Sequence, residues 1–508
     1  MSEASDGRKD RLAILLGERP LRVADLVAAA RQGARVELSP LLGPRLEAAR
    51  AALAEAAARG DKVYGLTTGL GAAADTPLAA ADLAAFQRRA LAARMVGVGE
   101  AMSPEQTRAL MIARLAGLAQ GASGITSSIP QAIADLLNAG VTPIVPSIGS
   151  IGAADLAPLA HAFAVLVGEG WAEYRGRRMA GAEALAAAGL EPVSLGPKDA
   201  LALVNANAAS IGMGTLALAD AERLLDASLA ALALGLEAFR GNLSPFGEEA
   251  VALRRTPCLE EVSLRLRTWL SGSELERQGA ARRLQDPLCF RSGAHVLAAF
   301  ADAAAHLRRA VELELDGAGD NPAVTQGARA IVSTAGFDAT HLALALETLG
   351  LALAQAAGAS FWRSAKLMNA AMSGLPRFLT PHGGSRSGFS AVQKTAASLE
   401  AEIRRLAQPA LLFPAPVADG VEDVASMAPR CAAKVALALA HMSRLVALEL
   451  IVAAQALDLR ALPRTAPALA RLLESIRVVV PRLDEDRPAG PDIEALAEEL
   501  RAGRLSHD

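Results

Sequence analysis

The chain has 508 residues, 52% of them hydrophobic and 21% charged, which supplies a large core and excludes a disordered polypeptide. Its 51 basic and 54 acidic residues leave a net charge of -3, with no basic stripe and interleaved aromatics, so nucleic acid is not an expected partner. Cys258, Cys289 and Cys431 are too few and too scattered for a disulfide framework or a zinc site; packing roles, a reducing cytoplasmic compartment and no metal are expected.

The opening ten residues, MSEASDGRKD, are polar and lack the apolar stretch of a signal peptide, so a loose terminus and no export are expected. Ser39-Pro40 offers a start for a helical segment ending near Gly60. In VYGLTTGLG, Tyr64 precedes Gly65, Gly69 and Gly71, and so many glycines place this tyrosine on a loop. Helical spacing returns in FQRRALAARMVGVG, which carries Arg94 and stops at Gly97 and Gly99. Arg88, Arg89 and Arg94 cannot all share one face of that helix. Ser103-Pro104, with Gln106 three residues after the serine, predicts a capping box for a helix running to Gln120. WAEYRGRRM reads as a short hairpin turning at Gly176.

A change of character falls near residue 195. Residues 1–195 read as a broken, mostly helical region, and residues 196–508 as a long-helix bundle with C-terminal helices. From Lys198 onward the candidate helices run to roughly 20 to 35 residues against a usual length of about 11 to 12. Ala and Leu dominate and charges return at helical spacing, so the fold class is mainly α. The apolar run LALALETLGLALAQAAG from Leu342 meets Glu347 and Gln355 before the roughly 18 to 20 uninterrupted apolar residues of a membrane span. Buried helices and no membrane partner are therefore expected, and helices apolar on more than one face point to self-association. Polar residues interrupt the apolar pattern at GASGI, LALVNANAAS, QDPLCFR, GDNPAV and GVEDVASMAP, where a buried polar group needs a partner or a function.

The order of these interruptions resembles the histidine and phenylalanine ammonia-lyase family from about Val63 to Arg460. Tyr64 to Gly71 matches the family's Y-G-x-N-T-G-F-G loop, Gly121 to Gly124 its G-x-S-G, and Lys198 to Asn205 its K-E-G-L-A-L-x-N. Gln285 to Arg291 matches Q-D-P-Y-S-x-R with Leu288 at the tyrosine; Gly319 to Pro322 matches S-D-N-P, Ser373 to Leu379 S-x-L-P-x-F-L, and Gln455 to Arg460 Q-G-L-D-L-R. The resemblance implies an ammonia-lyase-like fold with a central long-helix bundle, assembled as a homotetramer with active sites shared between subunits. It also implies Tyr64 as catalytic base, Asn205 and Arg291 as contacts to a substrate carboxylate, and Glu422 at a position where histidine-specific members carry glutamate. Arg94 stands where many members have a histidine, and Asp338, after Gly336 and Phe337, falls on the histidine of N-F-H; both are candidate substrate-binding residues.

Family members build an electrophilic methylidene-imidazolone ring from an Ala-Ser-Gly triplet inside G-S-V-G-A-S-G-D-L-A-P-L-A-H. Here the segment from Gly149 to His161 reads GSIGAADLAPLAH, one residue shorter, with Ala153, Ala154 and Asp155 at the triplet. Ring closure needs a glycine nitrogen to attack a carbonyl and a serine to lose water, and an Ala-Ala pair supplies neither. The ring is thus expected to be absent, and no other cofactor is expected. An Ala-Ser-Gly triplet at Ala122 to Gly124 aligns with the separate G-x-S-G segment. Three functions follow. One is a ring-independent lyase that eliminates from, or adds to, a small carboxylate or amino-acid-like substrate carrying its own activation. The others are a conventional histidine or aromatic amino acid ammonia-lyase and a non-catalytic binding or assembly protein on the same fold. Arg94 has two readings as well: a stem along the surface with its guanidinium in water, or a group pointing into the pocket toward an acidic substrate.

Overall fold

The computed structural model describes residues 13–79, 83–412, 416–460 and 462–504; the polar opening MSEASDGRKD lies outside the described residues. Helix dominates. The four longest helices are Ala208–Phe239, Gly293–Leu315, Thr340–Met368 and Ala428–Arg460, of 32, 23, 29 and 33 residues. Their length follows from apolar side chains on every face: in Ala208–Phe239, the consecutive residues Leu229, Ala230, Ala231, Leu232, Ala233 and Leu234 are all buried.

The chain forms two compact units. The first comprises Met1–Leu216, Arg308–Leu346 and Ala410–Ala433; the second comprises Ala217–Leu307, Glu347–Pro409 and Lys434–Asp508. Both are discontinuous in sequence, so the change near residue 195 is one of sequence character.

Local signals act as their chemistry requires. Gln106 donates its backbone N–H to Ser103 Oγ at 3.2 Å, and Ser103 N donates to Gln106 Oε1 at 3.0 Å, closing the capping box of the helix Pro104–Ala119. The strands Trp171–Tyr174 and Arg177–Ala180 pair across Arg175 and Gly176, whose φ angles of 50° and 75° are those of a two-residue hairpin turn. The helix expected from Ser39-Pro40 begins later, at Leu42, because Ser39 uses its hydroxyl to accept from Leu41 N and its carbonyl to accept from Leu42 N.

The mainly α fold holds, with small sheets added to it, and one expectation needs correction. Among the described residues, nine strands of two to four residues form four small sheets, including a parallel pair of Ala13–Leu16 with Arg35–Leu38. Runs this short carry no usable alternation. Three helices, within Asp199–Phe239, Thr340–Met368 and Ala428–Arg460, are long and apolar enough to cross a membrane by length and composition alone. Glu347 does not break the second: Lys434 Nζ donates to both of its oxygens at 2.7 and 2.6 Å, and both side chains are buried. All of the first helix's most apolar window, 56% of the second's and 72% of the third's are buried inside the protein.

Candidate active site

Tyr64 lies on the loop after the helix Leu42–Ala58. Gly65 beside it has φ +69°, and a Cβ there would come within 2.4 Å of Leu201 Cδ2, so conformation and space both demand glycine. The phenol oxygen accepts from Gly71 N at 2.9 Å, which fixes the ring. The turn Ala418–Gly420 packs against the turn Gly71–Ala73, and Glu422 pairs back to Val417 at the edge of that turn. Arg94 completes the group. Burial draws its pKa below the ordinary arginine value, while Tyr64 and Glu422, both within electrostatic reach, oppose that shift. Its Nη1 donates to Ala90 O at 2.7 Å. Arg94 is thus half-buried, within electrostatic reach of Tyr64 and Glu422. Gly97, which ends this segment, donates to Nε2 of His161 at 3.1 Å, so the Arg94 segment is anchored to the far end of GSIGAADLAPLAH.

The centre of that stretch is a tight turn in which Gly152 bridges to Ala154. Gly152 has φ +84°, and a Cβ would stand 2.3 Å from Ser426 Oγ and 3.0 Å from Ala428 N. Its carbonyl accepts from Ser426 Oγ at 3.0 Å and from Asn207 Nδ2 at 3.2 Å, and the Ile151 carbonyl accepts from Met427 N at 2.8 Å. Ala153 forms a bridge with Asp338. Ala154 takes φ +58°, a left-handed conformation that costs an alanine about 1 kcal/mol. Asp155 is fully buried: its N donates to Ala206 O at 2.8 Å, and its carboxyl accepts from Ser210 N at 2.8 Å, Ser210 Oγ at 3.2 Å and Ser150 Oγ at 3.3 Å. Burial pushes its pKa up to about 6 against the pull of those bonds.

These residues do not fit the family's ring. Positions 153 and 154 carry no hydroxyl to leave as water, and the nitrogen after Ala154 belongs to Asp155 and is held by Ala206 O. The triplet Ala122 to Gly124 forms part of a buried wall: the Ser123 carbonyl accepts from Lys198 Nζ at 2.5 Å and the Gly124 carbonyl from Arg50 at 3.1 Å. Lys198 is itself fully buried, and burial pulls its pKa down to about 8. The intact mass of the purified protein is expected to equal that of its unmodified sequence; a mass short by the water lost in cyclisation would overturn this.

The remaining candidates are placed as follows. Asn205 is buried, with Nδ2 donating to Asn321 O at 2.8 Å. Asp338 is exposed, and its carboxylate accepts from the backbone and hydroxyl of Thr340 at 2.9 and 3.1 Å, capping the helix Thr340–Met368. Arg291 belongs to the second unit. It is exposed on the short helix Leu288–Arg291 and lines a cavity of about 430 Å³ with Asn242, Ser244, Asp286, Leu288 and His295. The first unit thus gathers Tyr64, Arg94 and Glu422 into one group, and Ala153 to Asp155, Asp338 and the 205–207 segment that holds Asn205 into another. Sequence reasoning missed Asn207, Ser150, Ser210 and Ser426. Asn207 and Ser210 stood in the same polar break as Asn205, Ser426 in GVEDVASMAP and Ser150 in GSIGAADLAPLAH; the segments were legible, and their partners far along the chain were not. Of the three cysteines only Cys431 is buried, and among the described residues no group of three or more His, Cys, Asp or Glu could hold a metal ion.

The proteins this chain resembles along its whole length by sequence are enzymes of the lyase class. Residues 21–478 match the aromatic amino acid lyases, and the chain belongs to that family. It is 37% identical over 486 residues to a histidine ammonia-lyase of Symbiobacterium thermophilum, covering 96% of each chain. Among solved structures it is similar to an ergothioneine-degrading enzyme, ergothionase, from Treponema denticola, with TM-score 0.92, 31% identity, and 97% of this chain and 99% of that one covered. It is also similar to histidine ammonia-lyase from Trypanosoma cruzi, with TM-score 0.90 and 29% identity over 97% and 94% of the two chains.

Proposed function

We propose that this protein is a ring-independent lyase that uses Tyr64 as its base and acts on a small carboxylate or amino-acid-like substrate carrying its own activation. The observation that carries the reading is the segment Ala153-Ala154-Asp155, with no hydroxyl to lose, in the same unit as an intact group of Tyr64, Arg94 and Glu422. In elimination, Tyr64 takes the proton from the substrate carbon, the C–H electron pair becomes the new C=C bond, and the leaving group departs with its own bonding pair. With no electrophile to assist, the substrate supplies the help in one of two ways. Either a carbonyl acidifies the proton, or the leaving group departs as a neutral molecule that needs no proton. The name of the Treponema denticola neighbour favours the second, because ergothioneine is a betaine whose quaternary nitrogen leaves as a tertiary amine.

Arg94, beside Tyr64, is the first carboxylate partner, and Arg291 is the second by its place in the family motif. Assembly as a cytoplasmic homotetramer belongs to the same reading, since sites shared between subunits are what the family resemblance implies. The test is purified protein incubated separately with L-histidine, L-phenylalanine, L-tyrosine and ergothioneine, followed by absorbance of the corresponding acrylates. An acrylate from the betaine alone is expected. Acrylate from any of the three amino acids would restore the conventional ammonia-lyase reading, and none from any of the four would favour a binding protein.

A further inference from the structure

Four arginines of the second unit converge on one patch of backbone. Arg240 follows the helix Ala208–Phe239, Arg460 ends the helix Ala428–Arg460, and Arg282 and Arg283 stand side by side in residues 279–286. Arg282 and Arg283 both donate through Nη2 to the Met372 carbonyl, Arg283 at 3.4 Å, and Arg283 Nη2 also reaches Ala371 O at 3.2 Å. Arg460 takes the next carbonyl: its Nη2 donates to Ser373 O at 2.6 Å and its Nε to Ala238 O at 3.0 Å. Arg282 Cζ lies 5.3 Å from the centroid of the Phe239 ring, and Arg240 Nη2 donates to Ala280 O at 2.8 Å. All four side chains are half-buried, every oxygen they bond is a backbone carbonyl, and among the described residues no carboxylate pairs with any of them.

The charges do not balance. The carboxylate within electrostatic reach of Arg282 and Arg283 is Asp286, whose Oδ2 is held by Asn242 N at 2.6 Å. The two helix ends add about half a negative charge each, which leaves roughly two positive charges uncompensated. Burial, then the charges of Arg282 and Arg240, draws the Arg460 pKa down to about 10, and burial, then Arg283, lowers that of Arg282. Donors remain as well. Arg282 Nε is buried without a partner, and Arg240 and Arg283 bond through Nη2 alone. At Gly374, with φ +67°, a Cβ would stand 2.6 Å from Arg282 Nη1, so glycine keeps the space around that nitrogen clear. Gly279 and Ala281 line a cavity of about 470 Å³, and Leu284 and Asp286 line the one of about 430 Å³, which bring solvent to both ends of the segment. We propose that Arg240, Arg282, Arg283 and Arg460 form a binding site for a tetrahedral dianion, the phosphate group of inorganic phosphate or of a phosphate monoester. Water would leave the charge as it is and chloride would meet half of it; a phosphate matches both the charge and the forked donors. The proposal does not rest on the elimination chemistry.

Equilibrium dialysis of the purified full-length protein against radiolabelled inorganic phosphate tests this, in about 0.1 M sodium chloride to screen weak surface attraction. One bound phosphate per chain is expected. Arg282→Gln and Arg283→Gln should each weaken binding about tenfold or more, the loss of a charged hydrogen bond. Asp286→Asn keeps an acceptor for Asn242 N and removes the opposing charge, so it should tighten binding several-fold, a gain that misfolding cannot produce. Arg291→Gln, in the neighbouring cavity, should leave binding unchanged. Unlabelled glycerol phosphate that displaces the label as well as phosphate does assigns the site to phosphate esters; displacement by free phosphate alone assigns it to the free ion. No retained label, retention that survives both arginine substitutions, or loss of binding in Arg291→Gln would overturn the proposal.

Discussion

Arg363→Met is expected to destabilise the protein by about 3 to 5 kcal/mol, the cost of leaving one member of a buried ion pair without its partner. Arg363 is 1% exposed and Glu449 is 0% exposed. The pair is bidentate, with Nε donating to Oε1 and Nη2 to Oε2 at 2.9 Å, and Nη1 reaches the Cys289 carbonyl at 3.3 Å. On the helix Thr340–Met368 the next cation, Lys366, stands three residues beyond Arg363 with its ammonium over the Trp362 ring, 5.3 Å from the centroid. Methionine fills much of the volume, which confines the loss to the charge that remains. Two further results separate this account from a simple cavity. The deficit shrinks as pH falls, because an unpaired buried carboxylate accepts a proton, and Glu449→Leu in the Arg363→Met background recovers most of it. Urea unfolding at pH 8 and pH 5.5 reads both; a double variant as unstable as the single one would show that the loss comes from packing.

That pair also marks how far the sequence could be read. Arg363 in ASFWRSAKLM and Glu449 in LVALELIVAA are visible as charges in apolar helix, so the need for partners was legible, but the partners stand 86 residues apart and spacing could not match them. The same holds for Arg114 with Asp320. Composition sufficed for the long helices because each is apolar over many turns, and local chemistry sufficed for the Ser103 box and the Gly176 turn. The four-residue strands, and the joining of residues 308–346 and 410–433 to the first 216, are products of tertiary packing. At the site, motif order singled out Tyr64, Arg94 and Glu422 across more than 350 residues, and the fold places them within reach of one another. Asp338, read as a ligand contact, has a carboxylate already engaged by Thr340 at the start of a helix.

Tyr64→Phe separates chemistry from architecture most cleanly. The substitution removes one oxygen and keeps the ring, so the loop held by Gly65 against Leu201 keeps its shape, and the structural loss is the single bond from Gly71 N, worth about 1 kcal/mol. If Tyr64 carries the proton, kcat for acrylate formation from ergothioneine falls by about 10²- to 10⁴-fold, the usual contribution of a positioned general base. KM moves little, because substrate charge is met by Arg94 and not by the phenol. Arg94→Met gives the reciprocal pattern: the guanidinium is lost beside an intact phenol, so KM rises more than kcat falls. Steady-state kinetics on both variants, with unfolding temperatures as the check on folding, decides the assignment. A Tyr64→Phe enzyme that keeps wild-type kcat would move the base elsewhere, and the half-buried Glu422, also within electrostatic reach of Arg94, would be the next residue to replace.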